Sequence, residues 1–433
     1  MIYDDDGWMF QAPDHKPNND VHMISEDQLQ EMYEASLDDD VWADAVRRDV
    51  IQQDQHPDRR RDFILNEIEI QNTGGTVICY PFGERIITFP SKRHFFRGEN
   101  QVYAESLPSL RRKVKGMDAR SRELYHCVAN MRINQFGRFI WQFNIVPYWE
   151  AKLCDVNFMA LAQHYGFETC LLDLTNDFMT ALFFATCYYD RKAGEYRPLT
   201  EEMIHASGNT KYGVLFHSPH WVIGSLEPEC GLRFFAKHWQ EIRTAIYPLD
   251  SGEMDGMAFQ IGYQPLHRCH SQNGYIFPMK DARPLQEDNR FEKLRFRQSA
   301  ELSRKVFDYM DAGRKVFPNE GINAAEPVLQ KIQTGTTFSD ANLKYAFYYC
   351  NKAMFESEDS LKKALEGFET AGERISFQPE EVEYPISEEL KNEINSQYDG
   401  VDLLKAVGGV IHQHPEDRDY RKQRCIEIYG REI

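Results

Sequence analysis

No apolar run in this chain approaches the roughly 20 residues that a bilayer-spanning helix requires. ALFFA at 181–185 is typical of what is present. The first thirty residues are acidic and contain no apolar stretch, so neither a secretory signal nor a membrane partner is expected. Paired cysteines are missing as well: nine Cys lie scattered from Cys79 to Cys425 without a single CxxC. That spacing excludes a zinc cluster and a disulfide framework, and it fits reduced thiols in a cytoplasmic setting. There is no GxxxxGK[ST] or GxGxxG loop to cradle phosphate, no HExxH helix and no GxSxG elbow. His412-Gln413-His414 comes nearest to metal-ligand spacing, but a lone HxH is a weak signal, so no metal is expected. Excess positive charge is lacking too. Lys+Arg is 50 and Asp+Glu is 68, a net charge of −18, which argues against bulk electrostatic binding of nucleic acid.

What is present divides the 433 residues into three parts. Residues 1–60 form an acidic leader with 15 Asp/Glu against 3 Lys/Arg up to Pro57. Its charge clusters and the turn-rich PDHKPNND indicate weak structure. Within it, Leu29, Met32, Tyr33, Leu37, Val41 and Trp42 are spaced for one amphipathic docking helix over Glu26–Ala45. Residues 61–290 read as an α+β domain, a mixed or antiparallel sheet flanked by helices. FILNEIEIQ, TVICYPF and RIITF have strand character around the Asn72-Thr73-Gly74-Gly75 turn. Arg120–Asn130 reads as helix. Asp155–Tyr165 has an N-cap, a helical apolar stripe and Gly166 where a left-handed C-terminal residue belongs. Cys170–Leu174 reads as strand, and a largely apolar helix follows from Asp177 to about Tyr189. Tyr212–His217 and Gly274–Pro278 are further strands. Residues 291–433 read as an all-α C-terminal region, with the domain change near 285–300.

Residues 91–148 carry 11 Lys/Arg against 4 Asp/Glu, with Phe95, Phe96, Phe136, Phe139, Trp141 and Phe143 interleaved. This pattern fits an ordinary packed domain with solvated charges, or a single-stranded nucleic-acid surface.

Four segments stand out together: Phe96-Arg97-Gly98; Leu107-Pro108-Ser109-Leu110-Arg111; Leu161-Ala162-Gln163-His164-Tyr165-Gly166 leading into Leu171-Leu172-Asp173-Leu174-Thr175 and Ala181-Leu182-Phe183-Phe184-Ala185; and Gln272-Asn273-Gly274-Tyr275-Ile276-Phe277. In this order they resemble the FRG domain family, named for its (Phe/Tyr)-Arg-Gly motif. The family pattern continues with Pro-Ser-Leu-x-Arg, Gln-His-Tyr-Gly, Leu-Leu-Asp, an Ala-Leu-Phe-Phe-Ala helix and a Gln-x-Gly-x-Phe strand. The resemblance runs from Phe96 to Phe277, under half the chain. This member is divergent: Glu168, Thr169 and Cys170 stand where the family has Pro-Thr-Arg, and Leu174 replaces a Trp.

The motif layout is similar to that of ADP-ribosyltransferases. The resemblance therefore implies NAD as a substrate, a macromolecular acceptor (protein or nucleic acid), and a toxin or phage-defence effector. In that reading Arg97 and Gly98 meet phosphate or ribose, and His164 and Tyr165 place nicotinamide or ribose. Asp173 orients Arg97, Thr175 contacts the cofactor, and Gln272 bonds a ribose hydroxyl. Gln272 is neutral, so the carboxylate that steadies an oxocarbenium-like state comes from Asp173 first and Glu99 second. Each residue also has a plain structural role open to it. Arg97 fits a buried ion pair with Asp173, His164 a helix C-terminus, Thr175 a cap and Tyr165 the core. The competing reading is a non-catalytic module that binds a nucleotide or nucleic acid. The acidic leader is a candidate mask over the basic region 91–148.

Overall fold

The computed structural model describes residues 20–37, 76–79, 85–88, 94–147, 156, 158–219, 223, 258–260, 265–266, 268–272, 274–279, 283–370, 372–398 and 410–412. Its centre is a seven-stranded sheet. The strands in chain order are β1 (Val21–Ile24), β2 (His94–Glu99), β3 (Leu171–Thr175), β4 (Tyr212–Pro219), β5 (Phe259–Gln260), β6 (Gly274–Pro278) and β7 (Glu292–Arg297). Across the sheet the order is β1-β7-β4-β2-β3-β6-β5. Only the β1–β7 pair is parallel, so the sheet is mixed and mainly antiparallel. With helices on it, the architecture is the α+β class expected from the sequence.

Both faces of the sheet are covered, because β2 alternates between two cores. Phe96 packs with Phe178, Leu182 and Phe183 on one side. Phe95 packs with Leu172, Leu174, Phe216 and Tyr275 on the other. The first core is roofed by helix α3 (Phe178–Thr186), whose N-cap Asp177 accepts from the Thr180 N–H at 2.6 Å. Helix α2 (Phe158–His164) ends as predicted. Gly166 has φ +87°, its N–H bonds the Gln163 carbonyl, and the Phe167 N–H bonds that of Ala162, which is a Schellman closure. Asp155, the predicted N-cap, lies outside the described residues.

Helix α1 (Ala119–Trp141) runs well beyond the expected Asn130, opened by Asp118 accepting from the Arg120 and Ser121 N–H groups. One stretch of it joins the core beside α2, through Ile133, Phe136 and Ile140. Another, through Leu124, Val128 and Met131, joins Phe338, Leu343 and Leu361 of the C-terminal region. Polar residues of α1 are buried as well, and they bond that region. Arg132 Nε donates to the Gly335 carbonyl at 3.0 Å, and Gln135 Nε2 donates to that of Thr337 at 3.0 Å. A helix with partners on several sides must be buried all round.

Two sequence expectations are corrected. The sequence places 291–297 (FEKLRFR) in the all-α region, yet Glu292–Arg297 is β7, paired with β4 over six residues. The sheet therefore extends past residue 290. Its alternating Leu294 and Phe296 bury against the α3 core, which a strand permits. The leader, in turn, supplies β1 along β7 and a helix over 26–37 whose Leu29 and Met32 enter the same core as Val306 and Met310. The docking helix is thus present over its described residues. The helix expected from Asp177 to about Tyr189 instead stops at Thr186, because Cys187–Asp190 is a strand paired with Glu195–Pro198.

Thr76–Cys79 and Arg85–Thr88 are strands, as expected, and pair with each other; Arg85–Thr88 also pairs with Val410–His412. FILNEIEIQ, the Asn72–Gly75 turn and His414 lie outside the described residues. Beyond β7 the described residues are predominantly helical: Ala300–Tyr309, Glu326–Thr334, Asp340–Tyr349, Glu358–Glu366 and Glu388–Ser396. Two small two-stranded sheets are added to these helices. Among the described residues no helix is long and apolar enough to cross a membrane.

Candidate functional site

The site sits where the sheet splits. β2 pairs with β4 over six residues, from His94 to Glu99. Its other edge meets β3 at one bridge only, Phe96 with Thr175. β3 meanwhile pairs with β6 along its whole length. Past Phe96 the two strands part, and backbone groups that a ladder would satisfy need other partners. Arg97 fills that role at Asp173: its Nη1 donates to the Asp173 backbone carbonyl at 2.9 Å. Its Nε pairs with Glu99 Oε1 at 3.1 Å, and Ser106 Oγ donates to Glu99 Oε2 at 2.7 Å. The expected Arg97–Asp173 ion pair is therefore replaced by an Arg97–Glu99 pair and a bond to the Asp173 backbone.

The gap opens into a cleft of about 480 Å³, within the range of small-molecule sites. Of the predicted residues, Arg97, Gly98, Asp173, Thr175 and Gln272 line it, and so does Glu99. His164 and Tyr165 do not. The structure adds Arg112, Tyr103, Phe184, Tyr189 and Tyr196 to the lining. Burial and the nearby positive charge of Arg97 push the Arg112 guanidinium below its ordinary pKa. Two guanidinium groups this close favour an anion near them.

Asp173 is the carboxylate most available to a ligand, its side chain being 44 % exposed. It is held in place from behind. Gln163 Nε2 donates to Asp173 Oδ1, and the Thr169 hydroxyl donates to Gln163 Oε1. His164 lies behind the same group, its side chain only 3 % exposed and its Nε2 3.9 Å from Asp173 Oδ1. Burial depresses the His164 pKa, which favours the neutral ring. It is a backing residue and not a surface of the cleft.

Tyr165 belongs to the core, so the structure removes it as a stacking platform. Its hydroxyl donates to Glu320 at 2.8 Å, and its ring stacks near Phe136 at 6.0 Å. Thr175 takes the capping role: its hydroxyl donates to the Gln272 carbonyl at 2.8 Å and accepts from the Asp177 N–H at 3.0 Å. Gln272 spends its amide on the Val316 carbonyl at 2.9 Å. Gly98 permits a close backbone approach, but the partner is α3. A Cβ there would sit 1.8 Å from the Ala181 carbonyl oxygen.

The Leu-Pro-Ser-Leu-Arg segment is a clasp. The Leu110 N–H bonds the Thr169 carbonyl, Ser109 Oγ accepts from the Thr169 N–H, and Arg111 Nε donates to the Met279 carbonyl. It thereby joins the turn before β3 to the end of β6. The Arg of the Pro-Ser-Leu-x-Arg pattern falls at Arg112, whose signal was thus in the sequence. Tyr103, Tyr189 and Tyr196 carried none, because nothing local separates a cleft tyrosine from a core one. Among the described residues no group of three or more His, Cys, Asp or Glu could hold a metal ion.

The family model of the FRG domain matches residues 92–194, the span from β2 through α3 to the hairpin beyond it. The chain accordingly carries an FRG domain, and that domain supplies most of the cleft lining. Gln272 and β6 lie beyond the match. Comparison with curated proteins gives no match, and comparison with solved structures gives none.

Proposed function

We propose that the cleft binds NAD and breaks its nicotinamide–ribose bond, passing ADP-ribose to a macromolecular acceptor or to water. One observation carries this reading: a single cleft gathers the guanidinium groups of Arg97 and Arg112, the rings of Tyr189 and Tyr196, and the half-exposed carboxylate of Asp173. Diphosphate, aromatic ring and ribose diol are the features that such groups recognise. Cleavage sends the bonding pair out with neutral nicotinamide and leaves positive charge on the sugar. Asp173 is placed to steady that charge while an acceptor oxygen or nitrogen adds and loses its proton. An effector of toxin or defence type is the setting that the family resemblance offers.

The support does not come from strand order. β2, which bears Arg97, and β6, which follows Gln272, are separated by β3, so the transferase-like layout expected from the motifs is not reproduced. The second reading, a non-catalytic nucleotide-binding module, draws on a specific observation. Glu99 has both oxygens engaged, Glu105 is paired with Lys115, and Gln272 has its amide turned to Val316, so of the three lining carboxylates Asp173 is the most exposed.

The test is nicotinamide release from NAD by the full chain, with and without lysate as acceptor, beside Asp173→Asn and titration calorimetry. The enzyme reading expects release that falls at least 100-fold in Asp173→Asn while NAD affinity changes little. NAD binding without release moves the assignment to the binding module. No NAD binding at all overturns both forms.

A further inference from the structure

Outside the cleft, Arg268 is a buried arginine with several partners. Its guanidinium lies between two rings, 4.4 Å from the centre of Tyr165 and 3.8 Å from that of Phe317. Nη1 donates to the His164 carbonyl, closing the C-terminal end of α2, and Nη2 donates to Asn323 Oδ1 at 2.8 Å. Its backbone N–H bonds Glu320, which also accepts from the hydroxyls of Tyr165 and Tyr398. A planar guanidinium can stack on rings and bond in its own plane at once, which an ammonium cannot.

Phe317 carries this arrangement to the cleft. Its ring lies 5.4 Å from Tyr189 and 5.6 Å from Tyr196. Those two residues face each other across the hairpin Cys187–Pro198, where Tyr189 pairs with Tyr196, and both line the cleft. The hairpin is a two-stranded ribbon, and such ribbons are only marginally stable without a third layer. Phe183 and Phe184 pack on Tyr196 at 5.1 and 5.7 Å, Phe317 is the ring that touches both Tyr189 and Tyr196, and Arg268 holds Phe317.

Resting on the NAD reading above, we infer that Arg268 is a positioning residue: acting through Phe317 from outside the cleft, it sets the Tyr189–Tyr196 wall against which the ring-bearing end of the ligand packs. The C-terminal part of the chain thereby builds one wall of the FRG-domain cleft. Selectivity for a ligand with an aromatic ring over a ringless sugar phosphate depends on it.

The test uses the full chain with Arg268→Met, and with Phe317→Leu as the variant in a partly exposed position in case the first fails to fold. Two readouts are taken: hydrogen exchange of hairpin 187–198 without ligand, and calorimetric affinity for NAD against ribose 5-phosphate. The expected result is faster hairpin exchange in the variants and a roughly tenfold loss of NAD affinity, with ribose 5-phosphate affinity unchanged. A merely structural role would weaken both ligands together, and that result overturns the inference, as does unchanged hairpin exchange. Should wild type bind no NAD while the hairpin still loosens in both variants, the positioning role stands and the NAD reading falls.

Discussion

The Arg97 guanidinium donates to the backbone carbonyl of Asp173 at 2.9 Å and leaves the Asp173 carboxylate to the cleft. One side chain thus bridges two parting strands and keeps a carboxylate available. Glu99, with a side chain only 5 % exposed, serves as counter-ion. Removing Arg97 leaves that buried carboxylate with the Ser106 hydroxyl as its hydrogen-bond donor and the Arg112 charge nearby. Arg97→Met is expected to cost about 2 kcal/mol, the penalty of an undercompensated buried charge. Adding Glu99→Gln should restore more than half of it, because the stranded charge is then gone. Urea unfolding of the two single variants and the double variant checks this, and strictly additive losses would contradict the pairing.

Gly98→Ala tests the strand–helix contact. The new Cβ would stand 1.8 Å from the Ala181 carbonyl oxygen and 2.8 Å from the Ala185 nitrogen, both backbone atoms that cannot rotate away. The helix must lift from β2, at an expected cost of about 3 kcal/mol. Gly116 makes the contrast: it has φ +83° and nothing within 4 Å of an added Cβ. Gly116→Ala should cost about 1 kcal/mol, from backbone conformation alone. Thermal melting of both variants distinguishes them, and equal losses would count against the close approach.

Acid sensitivity follows from histidines kept neutral by burial. Desolvation lowers the His126 pKa from 6.5 to about 4, aided by the charges of Arg111 and Arg122. The unfolded chain takes up this proton near pH 6.5, whereas the folded chain resists it until near pH 4. Stability is therefore full above about pH 6.5 and falls as pH drops through that window. His126 accounts for about 2 kcal/mol of the loss at pH 5. His164 shifts in the same direction for the same reason. Unfolding midpoints between pH 7.5 and pH 5 should decline less steeply in His126→Gln, and parallel profiles would refute the assignment.

The leader contributes to the core. Leu29 is buried at 3 % exposure among Val306, Met310 and Phe296. Leu29→Ala should destabilise the chain by about 3 kcal/mol. Deleting residues 1–37 should cost more than that, since β1 and Met32 go with it. Chemical denaturation measures both, and a deletion without effect would mean that the docking is dispensable.

Local signals in this chain were reliable wherever a short segment decided its own structure. Asp177 caps α3, and Gly166 closes α2. LLDLT and GYIFP alternate or run apolar as buried strands do. The FRG motifs were legible for a related reason, since each belongs to a strand end, a helix end or a turn with strict geometry. Roles were harder to read than elements. Gly98, Thr175 and Gln272 fit ligand contacts by type, yet each is occupied by backbone groups that only the fold brings near.

The sequence by itself determined the α+β class, the closed end of α2, the capped start of α3, the strands β3, β4 and β6, and the motif set that defines the FRG domain. Capping, periodicity and turn chemistry act over a few residues and are written locally. Only the tertiary structure decided that β2 and β3 part after one bridge, that Arg97 spans the gap, and that Tyr165 faces the core while Tyr189 and Tyr196 face the cleft. The same holds for β1 joining β7 and for Arg268 reaching Phe317. Those relations bring together residues far apart in the chain, and their energies come from burial and electrostatics among groups that no local pattern names.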